Sequence, residues 1–147
     1  MTQVVKLMSV AMSSLFFSML FNIKGKKLVI PPIGAMLVWL SFDNTAFLDN
    51  EIVQCFIATI IGTMYTEILA RVAKTPTTTF LLSTIIILIP GGHLYYAVSS
   101  ALYGDWNSFS QLGLKAISYA GAIAGGIILV SSLVKIIVNL IRQLEKI

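Results

Sequence analysis

The chain alternates between long apolar runs and short polar segments. An α-helix needs about 20 apolar residues to cross the roughly 30 Å hydrocarbon core of a bilayer, and several of these runs approach that length. The pattern predicts five transmembrane helices, at about residues 4–21, 28–42, 52–70, 78–103 and 112–134. Three lysines follow the first run where a signal peptide would have a small-residue cleavage site, so we expect that run to be retained.

The remaining residues, 135–147, mix basic and apolar side chains. This mixture predicts a short amphipathic helical extension at the C-terminus. A chain of 147 residues is too short for two domains, so we expect residues 1–147 to form a single transmembrane domain.

The fourth predicted helix is interrupted by Pro90-Gly91-Gly92, inside residues 75–104, which hold no Asp, Glu, Lys or Arg. Proline removes a backbone donor, and glycine loosens a helix that should be stiff. Lipid tolerates such a break only where protein covers it or a cavity adjoins it. We therefore expect a break at mid-membrane, on an interface or a transport path, with a kink used only for packing as the alternative. The free amides where helix resumes near His93 would suit a carboxylate.

Composition supports an all-α integral membrane protein, because 57% of the residues are hydrophobic and only 11% are charged, against about 25% charged in soluble domains. The net charge is +4, but the basic residues are scattered between apolar runs, which argues against nucleic-acid binding.

Charged residues also predict the orientation. Eight of the ten Lys and Arg fall on one side of the predicted membrane: Lys24, Lys26, Lys27, Arg71, Lys74, Lys135, Arg142 and Lys146. Four acids fall in the opposite loops: Asp43, Asp49, Glu51 and Asp105. The positive-inside rule then places this protein in the cell membrane with its N-terminus outside and its C-terminus in the cytoplasm.

Small residues recur at helical spacing in the third and fifth predicted helices, where they let neighbouring helices approach closely. We expect helix packing at Ala58, Gly62, Ser118, Gly121, Ala122, Gly125 and Gly126.

A few polar residues inside the spans are candidates for function. Glu67 is the one acid inside a predicted span and is a candidate for coupling transport to protons. Arg71 lies one helical turn further on, so a structural ion pair is the favoured alternative. His93, Tyr95 and Tyr96 follow the break and, with its Pro-Gly-Gly, are candidates for lining a substrate path.

No nucleophile–base pair, phosphate-binding loop or paired carboxylates are apparent in the sequence, so we expect neither an enzyme nor a cofactor. One histidine and one cysteine, His93 and Cys55, do not form a metal-binding motif, and Cys55 is expected to be a small buried residue.

A set of short motifs runs through the second half of the chain: Thr75-Pro76, the Pro-Gly-Gly break, Tyr95-Tyr96, Gly104-Asp105-Trp106, the glycines between Gly121 and Gly126, and Ser131-Ser132. Together these motifs resemble the C-terminal half of the threonine/serine exporter family. The likeness is strongest over residues 70–134. It implies export of small amino acids, together with a second membrane subunit that resembles the N-terminal half. A related branch of two-component systems is linked to succinate.

The leading hypothesis is therefore a subunit of a two-component exporter for threonine and serine, in which a carboxylate-bearing substrate crosses the bilayer. An odd number of spans fits a partner of opposite orientation, which would complete an inverted repeat. The alternatives are a succinate exporter subunit, a structural subunit that supports a transporting partner, and a homo-oligomeric channel.

Overall fold

A computed structural model describes residues 2–144, and this range holds six α-helices and no strand. The helices are α1 (Thr2–Leu20), α2 (Ile30–Asn44), α3 (Glu51–Val72), α4 (Thr77–Ile85), α5 (Gly91–Leu102) and α6 (Trp106–Leu144). Short 3₁₀ turns precede α2, follow it, and follow α4, at Gly25–Val29, Ala46–Leu48 and Ile86–Leu88. Four helical segments are long and apolar enough to cross a membrane, and the bent pair that contains α4 and α5 makes a fifth if it crosses as one span. The predicted all-α membrane fold is confirmed.

Local signals explain where several helices begin. Prolines occupy the first turn of α2, where a missing N–H costs nothing. The Asn50 side chain caps α3 by accepting hydrogen bonds from the amides of Ile52 and Val53, at 3.1 and 3.4 Å. At the start of α6, hydrogen bonds from the side chain and the amide of Ser108 lower the pKa of Asp105.

The predicted break in the fourth span is present and has a clear cause. After the 3₁₀ turn, Ile89 is extended (φ −64°, ψ 124°), as expected for a residue that precedes proline. Pro90 is the N-cap residue of α5, which begins at Gly91. The chain bends by 61° between the two halves of this span.

Close approach of α2, α3 and α4 forms the centre of the bundle. A Cβ on Gly62 would lie 2.5 Å from Cγ2 of Val38, and one on Gly34 would lie 2.7 Å from the ring of Tyr65. The helix α1 joins this centre through the Ser14 hydroxyl, which donates to the Ser83 carbonyl at 2.7 Å. Small side chains and internal hydrogen bonds therefore bring these helices together, as is typical in membranes.

The packing residues predicted on α6 lie on different sides of that helix. A Cβ on Gly126 would lie 3.0 Å from Thr59, and one on Gly125 would lie 3.5 Å from Phe56, so both face α3. Ala122 packs against the core cluster that contains the predicted α3 residue Ala58. The remaining two are not held in this way: nothing lies within 4 Å of a Cβ on Gly121, and the Ser118 hydroxyl donates to a carbonyl of its own helix.

The last helix is longer than we expected. It begins at Trp106 and continues without a break to Leu144, so its 39 residues span about 58 Å. The amphipathic extension predicted over 135–147 therefore continues α6 as far as Leu144, and residues 145–147 lie outside the described range.

The connections separate by charge. At one end, the Lys27 ammonium donates to the Thr75 hydroxyl at 2.7 Å, which joins the basic connections before α2 and α4; we call this the basic end. At the other end, the Gln3 side chain donates to Asp43 at 2.8 Å. This acidic end also carries Glu51, the first residue of α3.

We expect Gly62→Ala to destabilise the fold by about 1–3 kcal/mol, because the added methyl would overlap the branched side chain of Val38. Gly121→Ala is the matched control on an open helix face. Thermal unfolding in detergent, followed by circular dichroism, would compare them. Equal melting temperatures for the two variants would contradict the close packing of α2 and α3.

Candidate functional site

A cavity of about 150 Å³ adjoins the break, and we call it the break cavity. Four helices and the 3₁₀ turn before the break contribute to its wall. Its lining residues are Trp39, Phe42, Cys55, Ile87, Leu88, Pro90, His93 and Tyr119. An apolar, aromatic wall with a few polar groups is typical of small-molecule sites.

The break cavity lies close to the acidic end of the bundle. Its α3 residue, Cys55, comes four residues after Glu51, which is about 6 Å along the helix. The segment Thr77–Leu88 rises roughly 20 Å from the basic end before the chain breaks. The 22 residues of α3 span about 33 Å, so a break roughly 20 Å from the basic end lies near the middle of that helix, and the cavity extends from the break toward the acidic end. The break at mid-membrane stays a prediction.

Backbone donors are left free where α5 begins. The Gly91 amide donates to the Ile89 carbonyl at 2.8 Å, and the Leu94 amide donates to the Pro90 carbonyl at 3.1 Å. Between them, the amides of Gly92 and His93 have no acceptor within residues 2–144. These two N–H groups carry the positive end of the α5 dipole, and one of them belongs to His93, which lines the break cavity.

Side chains add polar groups to the same cavity. The indole N–H of Trp39 is buried and has no partner in the described part of the chain. The rings of His93 and Tyr119 lie 5.4 Å apart between centroids. The Tyr119 hydroxyl donates to the Glu51 carboxylate, which connects the cavity wall to the acidic end.

A second cavity, of about 310 Å³, lies at the acidic end, and we call it the vestibule. It is lined by Asp49, Asn50, Glu51, Ile52, Lys115 and Tyr119. Two carboxylates and one ammonium therefore face the same space. This grouping was not predicted from the sequence. One hint was available, because Lys115 is one of only two basic residues that do not fall on the basic side of the predicted membrane.

The structure brings together only part of the predicted substrate path. Pro90 and His93 line the break cavity. Gly91 and Gly92 are exposed, with nothing within 4 Å of a Cβ on either. The rings of Tyr95 and Tyr96 pack on each other at 5.3 Å and are 70% and 61% exposed, outside the break cavity. Tyr95 instead lines a separate surface cavity formed by α5 and Tyr103.

Glu67 lies in a different place from the break. Its carboxylate is buried and pairs with the Arg71 guanidinium at 3.3 Å. It is twelve residues beyond Cys55, about 18 Å along α3 and toward the basic end. The favoured alternative of the sequence analysis, a pair one helical turn apart, is the arrangement that the structure contains.

An apolar groove of about 640 Å³ opens where the bent span meets α6. Its wall is formed by Phe21, Leu82, Ile85, Ile86, Ile89, Pro90, Leu94, Ala116, Ile117, Ala120, Ile123, Ala124 and Ile127. The groove shares Pro90 with the break cavity, so the break lies between the small aromatic cavity and the larger apolar groove. Among residues 2–144, no group of three His, Cys, Asp or Glu side chains is placed to hold a metal ion.

Comparison with known proteins identifies a family. The sequence model of a family described as threonine/serine exporter, ThrE, matches residues 6–133, which is well over half of the chain. No curated protein and no solved structure matches the chain.

We expect Glu67→Gln to lower stability by about 1 kcal/mol without removing the pH dependence of transport, because Arg71 already neutralises the carboxylate and is itself partly exposed. Thermal unfolding and efflux assays from about pH 5.5 to about pH 8, a range of roughly 2.5 units that includes neutrality, would measure both. Arg71→Gln is the matched control for loss of the pair. Loss of pH dependence in Glu67→Gln alone would instead assign proton coupling to this carboxylate.

Proposed function

The chain belongs to the threonine/serine exporter family, and we propose that it is one subunit of a two-component secondary exporter for threonine and serine. It works by alternating access, driven by an ion or membrane gradient, together with a second membrane subunit that resembles the N-terminal half of the family. The observation that carries this proposal is the break cavity, where uncapped backbone amides adjoin a small aromatic space.

The amides of Gly92 and His93 are suited to the carboxylate of the substrate. Two adjacent N–H groups at a helix N-terminus bind anions without a charged side chain. Discontinuous helices in other transporters present their N-terminal ends to substrate in the same manner. Trp39 adds a further donor without a partner beside the same cavity.

The vestibule supports an amino acid over a dicarboxylate. Asp49 and Glu51 suit the ammonium group of an amino acid, and Lys115 suits its carboxylate. A dianion such as succinate would meet two carboxylates of its own sign at this point, which is unfavourable. We therefore favour threonine and serine over succinate.

The orientation follows from the separation of charge between the two ends. Basic connections meet at one end through Lys27 and Thr75, and the positive-inside rule places that end in the cytoplasm. The vestibule then opens on the outer side of the cell membrane, where an exported substrate leaves. The N-terminus is outside and the C-terminus is in the cytoplasm.

A second membrane subunit is supported by what the chain leaves uncovered. The exposed Gly91 and Gly92 begin a helix whose first amides need partners or cover in lipid. The apolar groove and the open face at Gly121 provide a surface on which another helix can pack closely. A homo-oligomer would use the same surface, and a structural subunit would use it without needing the break cavity.

We expect threonine and serine efflux from proteoliposomes only when this chain and its partner subunit are reconstituted together. Labelled threonine, serine and succinate would be loaded in parallel, with each subunit alone as a control. Efflux by this chain alone at the full rate would support a homo-oligomeric channel. Efflux of succinate but not of threonine would contradict the assignment of the substrate.

We expect Gly92→Pro to weaken threonine transport about tenfold or more, because it deletes one amide donor to a charged group. Proline is tolerated in the first turn of a helix, so α5 should still form. Gly92→Ala keeps the N–H and is the matched control. Initial efflux rates over a range of internal threonine concentrations would separate affinity from maximal rate, and equal loss in both variants would contradict a role for this amide.

A further inference from the structure

The break cavity and the vestibule share one side chain. Their linings have Tyr119 in common and no other residue. The ring of Tyr119 therefore stands between an aromatic space at the break and a charged space at the acidic end. A substrate that moves directly from one space to the other would pass beside this ring.

The ring is held from two directions. Its hydroxyl donates to the carboxylate of Glu51, the first residue of α3. Its face lies against the ring of His93, in the first turn of α5, at a tilt of 33°. Tyr119 itself is only 8% exposed and belongs to the core cluster around Cys55. The position of Tyr119 thus depends on contacts with both α3 and α5.

We propose that Tyr119 is the gate between the break cavity and the vestibule and that Glu51 holds it closed. The proposal rests on the proposed function, in which this path carries the substrate. The bend at Pro90 gives α5 a hinge, and movement of α5 about it withdraws the His93 ring from Tyr119. The Glu51 hydrogen bond is then the remaining restraint on the ring. Glu51 is a positioning residue that acts through the tyrosine.

The chain contains its own reporter for this gate. Cys55 is the single cysteine of the sequence, it is fully buried, and it lines the break cavity. A polar, membrane-impermeant thiol reagent that reaches Cys55 by way of the vestibule has to pass Tyr119. The change in the labelling rate of Cys55 when the Tyr119–Glu51 hydrogen bond is removed therefore reports opening of the gate, without any substrate or partner.

The experiment uses the full chain in lipid nanodiscs, where both ends are accessible, and follows labelling by a charged methanethiosulfonate with mass spectrometry. We expect slow labelling in the wild type and about tenfold or faster labelling in Glu51→Ala and Tyr119→Phe, since each loses a hydrogen bond to a charged group. Glu51→Gln keeps an acceptor oxygen for the tyrosine, so we expect it to restore most of the slow rate.

Three controls separate gating from general loosening. Cys55→Ala reports background labelling. Asp43→Asn removes a carboxylate at the same end that bonds Gln3 rather than Tyr119, and its labelling rate should equal that of the wild type. Gly34→Ala crowds Tyr65 and Thr84, which lie outside both cavity linings and outside the core cluster of Tyr119, and shows how far destabilisation alone raises the rate.

Wild-type rates in both Glu51→Ala and Tyr119→Phe would overturn the proposal. So would an equal rise in Glu51→Gln, because the acceptor oxygen would then have no effect, or an equal rise in Gly34→Ala. Labelling and efflux are measured separately, so a failed gate leaves the exporter proposal to its own test. Conversely, if the labelling rates follow the prediction but no amino acid is exported, the gate is supported and the proposed substrate is contradicted.

Discussion

A broken helix inside a membrane leaves backbone amides that have to find partners, and the structure is arranged around this constraint. Pro90 ends one hydrogen-bonded segment, and α5 starts with the amides of Gly92 and His93 unpaired. An unsatisfied N–H in hydrocarbon costs several kcal/mol, roughly the cost of a lost hydrogen bond with no water to replace it. A carboxylate, a protein neighbour or water in a cavity can each supply the missing acceptor. The proposed substrate site, the partner surface and the gate follow from this one local defect.

The surroundings on the two sides of the break differ in what they can offer to the unpaired amides. On one side, Trp39, His93 and Tyr119 line a small space with a few polar groups, which is suited to reversible binding of a substrate. On the other side, the apolar groove is open and offers surface to another helix. Because small residues such as Gly121 leave room on α6, a neighbouring helix can approach closely there. In the proposed function, this chain supplies one part of the substrate path and the surface on which the partner subunit packs.

Sequence patterns predicted the features that depend on local chemistry. Apolar runs predicted the helices, and Pro90 with its two glycines predicted the break, because proline imposes the same restraint in any fold. The hydrogen bond from Tyr119 to Glu51 joins residues 68 positions apart, and no local pattern encodes such a distance. For the same reason, the sequence did not reveal that Tyr95 and Tyr96 lie outside the break cavity, since the docking of α6 decides which face of α5 is covered.

The central claim is that the first amides of α5 bind the carboxylate of the substrate. The most direct test is nuclear magnetic resonance of ¹⁵N-labelled chain, assembled with its partner in nanodiscs, during titration with threonine and with threoninol, which lacks the carboxylate. The account predicts that threonine shifts the amide signals of Gly92 and His93 and that threoninol leaves them in place. The account would be contradicted if neither compound shifted these amide signals, or if both compounds shifted them equally.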